Sequence, residues 1–153
     1  MDYFTTMLDN NYHIDSSPDF LDFEFTSIGP KGGITKVVRY REINVRSIYN
    51  LGFGDKEPVS GYINDLSITN NNDCQKVLAT VARTLYLFTD HYPDAMIIAS
   101  GSTAARTRLY RMGITNNLVA IEQDFHVPGL MDIEWEQFRK SVNYHAFSVQ
   151  RKY

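Results

Sequence analysis

The amino-acid sequence predicts an α+β fold, a mixed and mostly antiparallel sheet packed with helices. Three observations carry this expectation. Leu21, Phe23 and Phe25 alternate with Asp22, Glu24 and Thr26, the period of a half-buried strand. Val77, Leu78, Val81, Leu85 and Phe88 recur at spacings of three and four, the period of a helix with one apolar face. Ala95-Met96-Ile97-Ile98-Ala99 is apolar throughout, as in a strand inside a sheet. With 153 residues, 43% hydrophobic and 22% charged, the chain reads as a single domain over 1–153, with the polar residues 1–18 at its periphery.

The elements follow in order. After the first strand, Gly29-Pro30-Lys31-Gly32-Gly33 is a turn signal. The β-branched stretch Ile34 to Ile43 is the return strand, and Tyr49, Leu51 and Phe53 alternate again in a third, ending at Gly54-Asp55. Gly61 to Thr69 fits either a short edge strand or a loop. Asn70-Asn71-Asn72-Asp73 offers helix N-caps, and the helix runs from about Cys74 to Asp90. Ala95–Ala99 is then a central strand, buried on both faces. Gly101-Ser102 opens a second helix through about Met112, with Ala105, Leu109 and Met112 as its apolar face and Gly113 as its C-cap. A third helical stretch spans Asn116 to Asp124. His126 to Leu130 reads as a strand broken by a turn, Trp135 to Val142 fits helix or strand, and Ala146 to Arg151 closes as a strand. The order is β-β-β-α-β-α-β-β, a meander followed by a crossover through the long helix.

Charge is unevenly placed behind a near-neutral balance of 15 Lys and Arg against 18 Asp and Glu. Residues 1–30 hold Asp2, Asp9, Asp15, Asp19, Asp22 and Glu24 and no cation; residues 31–46 hold Lys31, Lys36, Arg39, Arg41 and Arg46 against Glu42 alone. Arg106, Arg108 and Arg111 form another basic block, and Arg139, Lys140, Arg151 and Lys152 follow Glu136 without an acid among them. Two readings stand: the acidic start pairs with a basic sheet inside one molecule, or a basic surface meets an anionic ligand. Cys74 is the single cysteine, so neither an intrachain disulfide nor a cysteine-built zinc site is expected. The first eighteen residues lack the basic start and apolar core of a signal peptide, and no apolar run reaches membrane-spanning length. The expectation is a soluble, cytoplasmic protein with no membrane partner.

The segment from Gly101 to Arg108 is the strongest candidate for chemistry. It lies where a buried strand gives way to a helix, so free N–H groups and the positive end of the helix dipole favour an anion. Ser102 and Thr103 add hydroxyls, and Arg106 offers a bidentate fork to phosphate. Arg106 and Tyr110 share one flank of the helix and Arg108 takes the other. The candidate anion site is thus Gly101, Ser102, Thr103, Arg106, Arg108 and Tyr110. The competing structural reading makes Ser102 an N-cap and pairs the arginines with acids such as Asp22 or Glu24. The Gly-Lys-Ser/Thr ending of a phosphate-cradling loop is absent. His13, His91, His126 and His145 lack helical metal spacing, so no metal is expected, although His126 or His145 fits a general base. Asp55 and Asp65 fit turn capping or a cation, and Tyr40, Tyr49, Phe53 and Tyr62 fit a core or a stacking surface.

The succession of elements is similar to the later part of the GCN5-related N-acetyltransferase fold over roughly residues 20–152. Leu109-Tyr110 and Gly113-Ile114 stand where that fold's penultimate helix often carries a Leu-Tyr pair and a terminal Gly-Phe. The resemblance implies a coenzyme A site at the start of the long helix. The chain departs from the pattern there, with Asn70-Asn71-Asn72-Asp73-Cys74-Gln75-Lys76 in place of a glycine-containing loop, so no cofactor is expected. The chain also resembles an uncharacterised bacterial family of small domains of unknown function, through Gly101-Ser102-Thr103, Arg106-Thr107-Arg108-Leu109-Tyr110-Arg111, Tyr144, Phe147 and Arg151-Lys152. Together these imply an acetyltransferase-like domain that binds a phosphate-containing ligand or a macromolecular partner, protein or nucleic acid. Two alternatives stay open: a coenzyme A-dependent N-acyltransferase, and a small toxin–antitoxin or phage-related interaction protein.

Overall fold

The computed structural model describes residues 10–60, 63–64, 69–101 and 103–153. The alternating stretches form a meander of three antiparallel strands, β2 (Asp22–Gly29), β3 (Gly32–Glu42) and β4 (Ile48–Lys56), preceded by the two-residue β1 (Asp15–Ser16). A two-residue turn joins β2 to β3, and Gly32 takes a φ of 85° there, a conformation that glycine adopts without cost. Within 61–69, β5 (Ile63–Asn64) pairs with the end of β4, and the flanking positions 61–62 and 65–68 lie outside the described residues.

The long helix α1 (Cys74–His91) carries the chain from β4 to β6 (Met96–Ala99), which pairs parallel to β4. Helices α2 (Ala104–Asn116) and α3 (Leu118–Asp124) lead to β7 (Phe125–His126), β8 (Pro128–Met131), β9 (Glu134–Gln137) and β10 (Ala146–Arg151). Along the sheet the order is β1-β2-β3-β4-β6-β10-β8-β9, with β5 on β4 and β7 on β10. The expected α+β class, the meander and the crossover are all present.

Register explains which residues enter the core. Phe23 lies opposite Val38, Val38 opposite Phe53, and Tyr40 opposite Leu51; Phe147 and Val149 of β10 oppose Ala99 and Ile97. These side chains meet α1 and α2 on one face of the sheet, where Tyr40 stacks on Phe88 with ring centroids 4.1 Å apart. The other face carries the ion pairs of Asp22 and Glu24. Asp22 takes Arg39 at 3.3 Å and Arg41 at 2.8 Å, and Glu24 takes Lys56 at 3.0 Å. The acidic start and the basic strand therefore meet within the molecule, at partly exposed sites worth about 1 kcal/mol or less each.

Three local expectations are corrected. β6 is buried on one face only: Ile97 and Ala99 are buried, while Met96 and Ile98 are half-buried on the other. The inner face of α2 is not Ala105, Leu109 and Met112 but Arg106, Tyr110, Gly113 and Ile114. Gly113 does not cap the helix. It lies inside α2 against Leu78 of α1, where a Cβ would stand 3.4 Å from Leu78 Cδ2, so the missing side chain sets how closely the helices approach.

Candidate functional site

Helix α2 begins at a tightly built corner. Thr103 is its N-cap, and the Thr103 hydroxyl accepts the Arg106 backbone N–H at 3.2 Å. The Gly101 N–H donates to Thr107 Oγ1 at 3.0 Å, folding the incoming chain over the first turn. A Cβ at Gly101 would lie 2.5 Å from both Arg106 Cβ and the Thr107 nitrogen, so only glycine fits at this crossing. Ser102, Tyr62 and Asp65 lie outside the described residues.

The corner divides the candidate residues between two environments. Arg106 is 6% exposed and, like Tyr110, belongs to the inner face of α2. Gly101, Thr103 and Arg108 instead line a cleft of about 520 Å³ together with Thr107, Arg111 and His145. Arg108 is exposed and forms no ion pair with any described residue. Arg111 is held in place by hydrogen bonds from Nη1 to the Asn143 side chain and to the Val142 carbonyl, the second at 3.4 Å. No Asp or Glu is among the described lining residues, although two carboxylates touch them from outside the cleft: Glu136 accepts the Tyr144 hydroxyl at 3.0 Å and Asp132 lies 3.9 Å from His145 Nε2.

The opposite wall is anchored through Tyr144. A Cβ on Gly129 would stand 2.5 Å from the Tyr144 ring, so β8 lies flat against it. The Tyr144 hydroxyl accepts the Arg139 backbone N–H and donates to Glu136 Oε1, both at 3.0 Å. Arg111 and His145 were not marked by the sequence reading as members of one site. The signal available was their presence in basic or loop segments, and only the fold brings residues 108–111 to 143–145.

The start of α1 is a different environment. Asp73 occupies the N-cap position without capping, because its Oδ2 accepts the Tyr12 hydroxyl and Ser27 Oγ, each at 2.6 Å. Asn71 accepts the Lys31 N–H and donates to the Gly32 carbonyl, both at 2.8 Å, fastening this segment to the β2–β3 turn. Lys36, 1% exposed, donates to Asp55 Oδ1 at 2.5 Å and to the Thr69 carbonyl at 2.8 Å. Burial raises the Asp55 pKa, but hydrogen bonds from Lys36 and Thr69 outweigh it and hold the carboxyl below its ordinary value. Asp55 is thus the partner of a buried lysine, and Lys36 borders a cavity of about 110 Å³ beside Cys74. Burial and then the Asp73 charge push the Cys74 thiol up, away from a reactive thiolate.

The remaining candidates are dispersed. His13 contacts Asp15 at the surface, His91 stacks on Phe20, and His126 lines a separate depression with Glu122 and Lys152. Tyr40 and Phe53 are core residues and Tyr49 packs against that core. Among the described residues no cluster of three His, Cys, Asp or Glu could hold a metal ion, and no helix is long and apolar enough to cross a membrane.

No curated protein and no solved structure matches the chain. A family model does match, over residues 8–152, and it covers both the cleft and the sheet that frames it. The chain belongs to this family, the family of unknown function DUF6934.

Proposed function

We propose that the protein binds a phosphate-containing anion in the cleft at the start of α2. The observation that carries this reading is the convergence of Arg108, Arg111 and His145 on one cleft with no carboxylate among its described lining residues. Arg108 and Arg111 have no ion pair among the described residues, so their mutual repulsion is costly, and a bound anion relieves that cost. The cleft adjoins the N-terminal end of α2, whose dipole adds to the attraction. Arg111 is positioned by Asn143 and Val142, whereas Arg108 is available to close on the ligand as a bidentate fork. Arg106 and Tyr110 support the site from inside α2, and Gly101 and Thr103 shape its corner.

The test is thermal unfolding at low salt with orthophosphate and, separately, a single-stranded oligonucleotide. Orthophosphate is expected to raise the wild-type melting temperature. Arg108→Ala is expected to keep the ligand-free melting temperature and lose the phosphate-induced rise. Arg106→Ala is expected to lower the ligand-free value, because its side chain is buried. A larger rise with the oligonucleotide, steeply weakened by salt, identifies nucleic acid as the anion. The reading is overturned by a wild-type melting temperature that neither anion moves, or by a full shift in Arg108→Ala.

The coenzyme A alternative draws on one observation. The parallel pairing of β4 with β6 ends at Asn50 and Ile98, and β4 continues to Lys56 beyond the end of β6 at Ala99, which leaves the part of β4 before its pairing with β5 at Asp55 without a described strand partner on this side. Against it, the segment before α1 is occupied by its own bonds through Asn71 and Asp73. Calorimetric titration with acetyl-coenzyme A is expected to give no heat of binding, and a micromolar affinity would restore the acyltransferase reading.

A further inference from the structure

Strand β9 ends the sheet, and among the described strands it pairs only with β8. In an antiparallel pair every second residue turns its N–H and C=O away from the partner, and in β9 these residues are Trp135 and Gln137; the Gln137 carbonyl accepts the Tyr144 hydroxyl at 3.4 Å, and the Trp135 N–H and C=O and the Gln137 N–H face the open side. The tip beside it is apolar. Ile133 is 92% exposed and Trp135 is 46% exposed, with Met131 on the adjoining strand also exposed. Turn propensity does not explain this tip. Met131 and Glu134 are paired directly, which leaves Asp132 and Ile133 as a two-residue loop, and Asp132 takes a φ of 54° where glycine or asparagine is favoured. Solubility does not explain it either, because a β-branched apolar side chain stands at the apex.

The charges indicate what this edge accepts. Asp132, Glu134 and Glu136 lie along the hairpin, and residues 128–138 contain no Lys or Arg. Arg139 takes Glu136 at 2.8 Å and His145 faces Asp132, while Glu134 has no ion pair among the described residues. A second copy pairing antiparallel about Trp135 would set Glu134 against Glu136 twice, and like charges placed directly opposite are destabilising. A strand carrying Lys or Arg at alternate positions, with apolar residues between, satisfies both charge and backbone.

We propose that β9 is a docking edge for an extended, basic segment of a partner protein, which adds a strand to the sheet. Apolar side chains of that segment cover Ile133 and Trp135, and its cations face Glu134 and Asp132. This surface is separate from the anion cleft and does not depend on it.

Trp135 is the single tryptophan, so its fluorescence reports on this edge alone. The protein is titrated with a synthetic peptide of alternating lysine and valine and with its glutamate–valine counterpart. The expected result is a saturable shift of emission to shorter wavelength with the lysine peptide and none with the glutamate peptide. Glu134→Lys, an exposed change, is expected to lose the response to the lysine peptide. The proposal is overturned if neither peptide shifts the emission, if both do so equally, or if Glu134→Lys responds as the wild type does. It is also overturned if emission shifts with protein concentration alone, which would identify a second copy as the occupant.

Discussion

Lys36 shows how one side chain can organise a region. It is nearly inaccessible to solvent, yet its ammonium has Asp55 and the Thr69 carbonyl as acceptors. An isolated buried charge is very costly, so the pair stands or falls together. Lys36→Ala is expected to cost about 3–5 kcal/mol in urea unfolding, because Asp55 is left uncompensated. The double variant Lys36→Met/Asp55→Leu is expected to recover most of that loss. Recovery stays incomplete, since the Thr69 N–H and C=O lose partners supplied by both side chains. The pair was legible in the sequence in principle. Strand parity places Lys36 on the same side as Val38 and Tyr40, among core residues, and a lysine there demands a carboxylate across the sheet. By sequence alone Asp55 instead fits turn capping or a cation, because it follows Gly54 at the end of an alternating run. The position of Thr69 was not legible, since its chain path is fixed by contacts distant in sequence.

The meander and α1 could be read from the sequence because large apolar residues mark their faces without ambiguity. Helix α2 could not be read as well. Its buried stripe is an arginine, a tyrosine, a glycine and an isoleucine, spaced i, i+4, i+7 and i+8, and hydropathy undervalues all but the last. Ala105, Leu109 and Met112 are more apolar but sit beside that stripe. The cleft was half legible: Gly101-Ser102 marks the opening of α2 to within a turn, although Thr103 is the N-cap and the helix begins at Ala104, whereas the wall at residues 143–145 depends on Gly129 lying against Tyr144. The corner at Gly101 has the least room. Gly101→Ala is expected to destabilise the protein by about 1–3 kcal/mol, as overpacking does, because the new methyl meets backbone as well as side chain. The same variant is expected to weaken the phosphate-induced rise in melting temperature, because Thr103 and Thr107 would move with the first turn. An alanine variant with wild-type stability would show that the corner can relax.

Across the whole molecule, the Lys36–Asp55 pair makes stability depend on pH. The folded-state pKa of Asp55 lies below its reference value of 3.8. A depressed carboxyl contributes stability that is complete above the unfolded value and disappears as pH falls through the folded one. Unfolding free energy is therefore expected to decline below about pH 4 in the wild type, and to decline less in Lys36→Met/Asp55→Leu, as followed by urea titrations at successive pH values. An identical slope in the two proteins would remove Asp55 from the account. The sheet order has a different consequence, in the time domain. β10 stands between β6 and β8, so the meander half and the β8–β9 hairpin are joined in the sheet only when the last strand inserts. Its pairing with β6 bridges some of the longest sequence separations in the sheet, and such contacts close slowly. Until they do, β6 offers an open apolar edge to any neighbouring molecule. Refolding is thus expected to be a race between insertion of β10 and association with another chain, with a yield that falls as protein concentration rises.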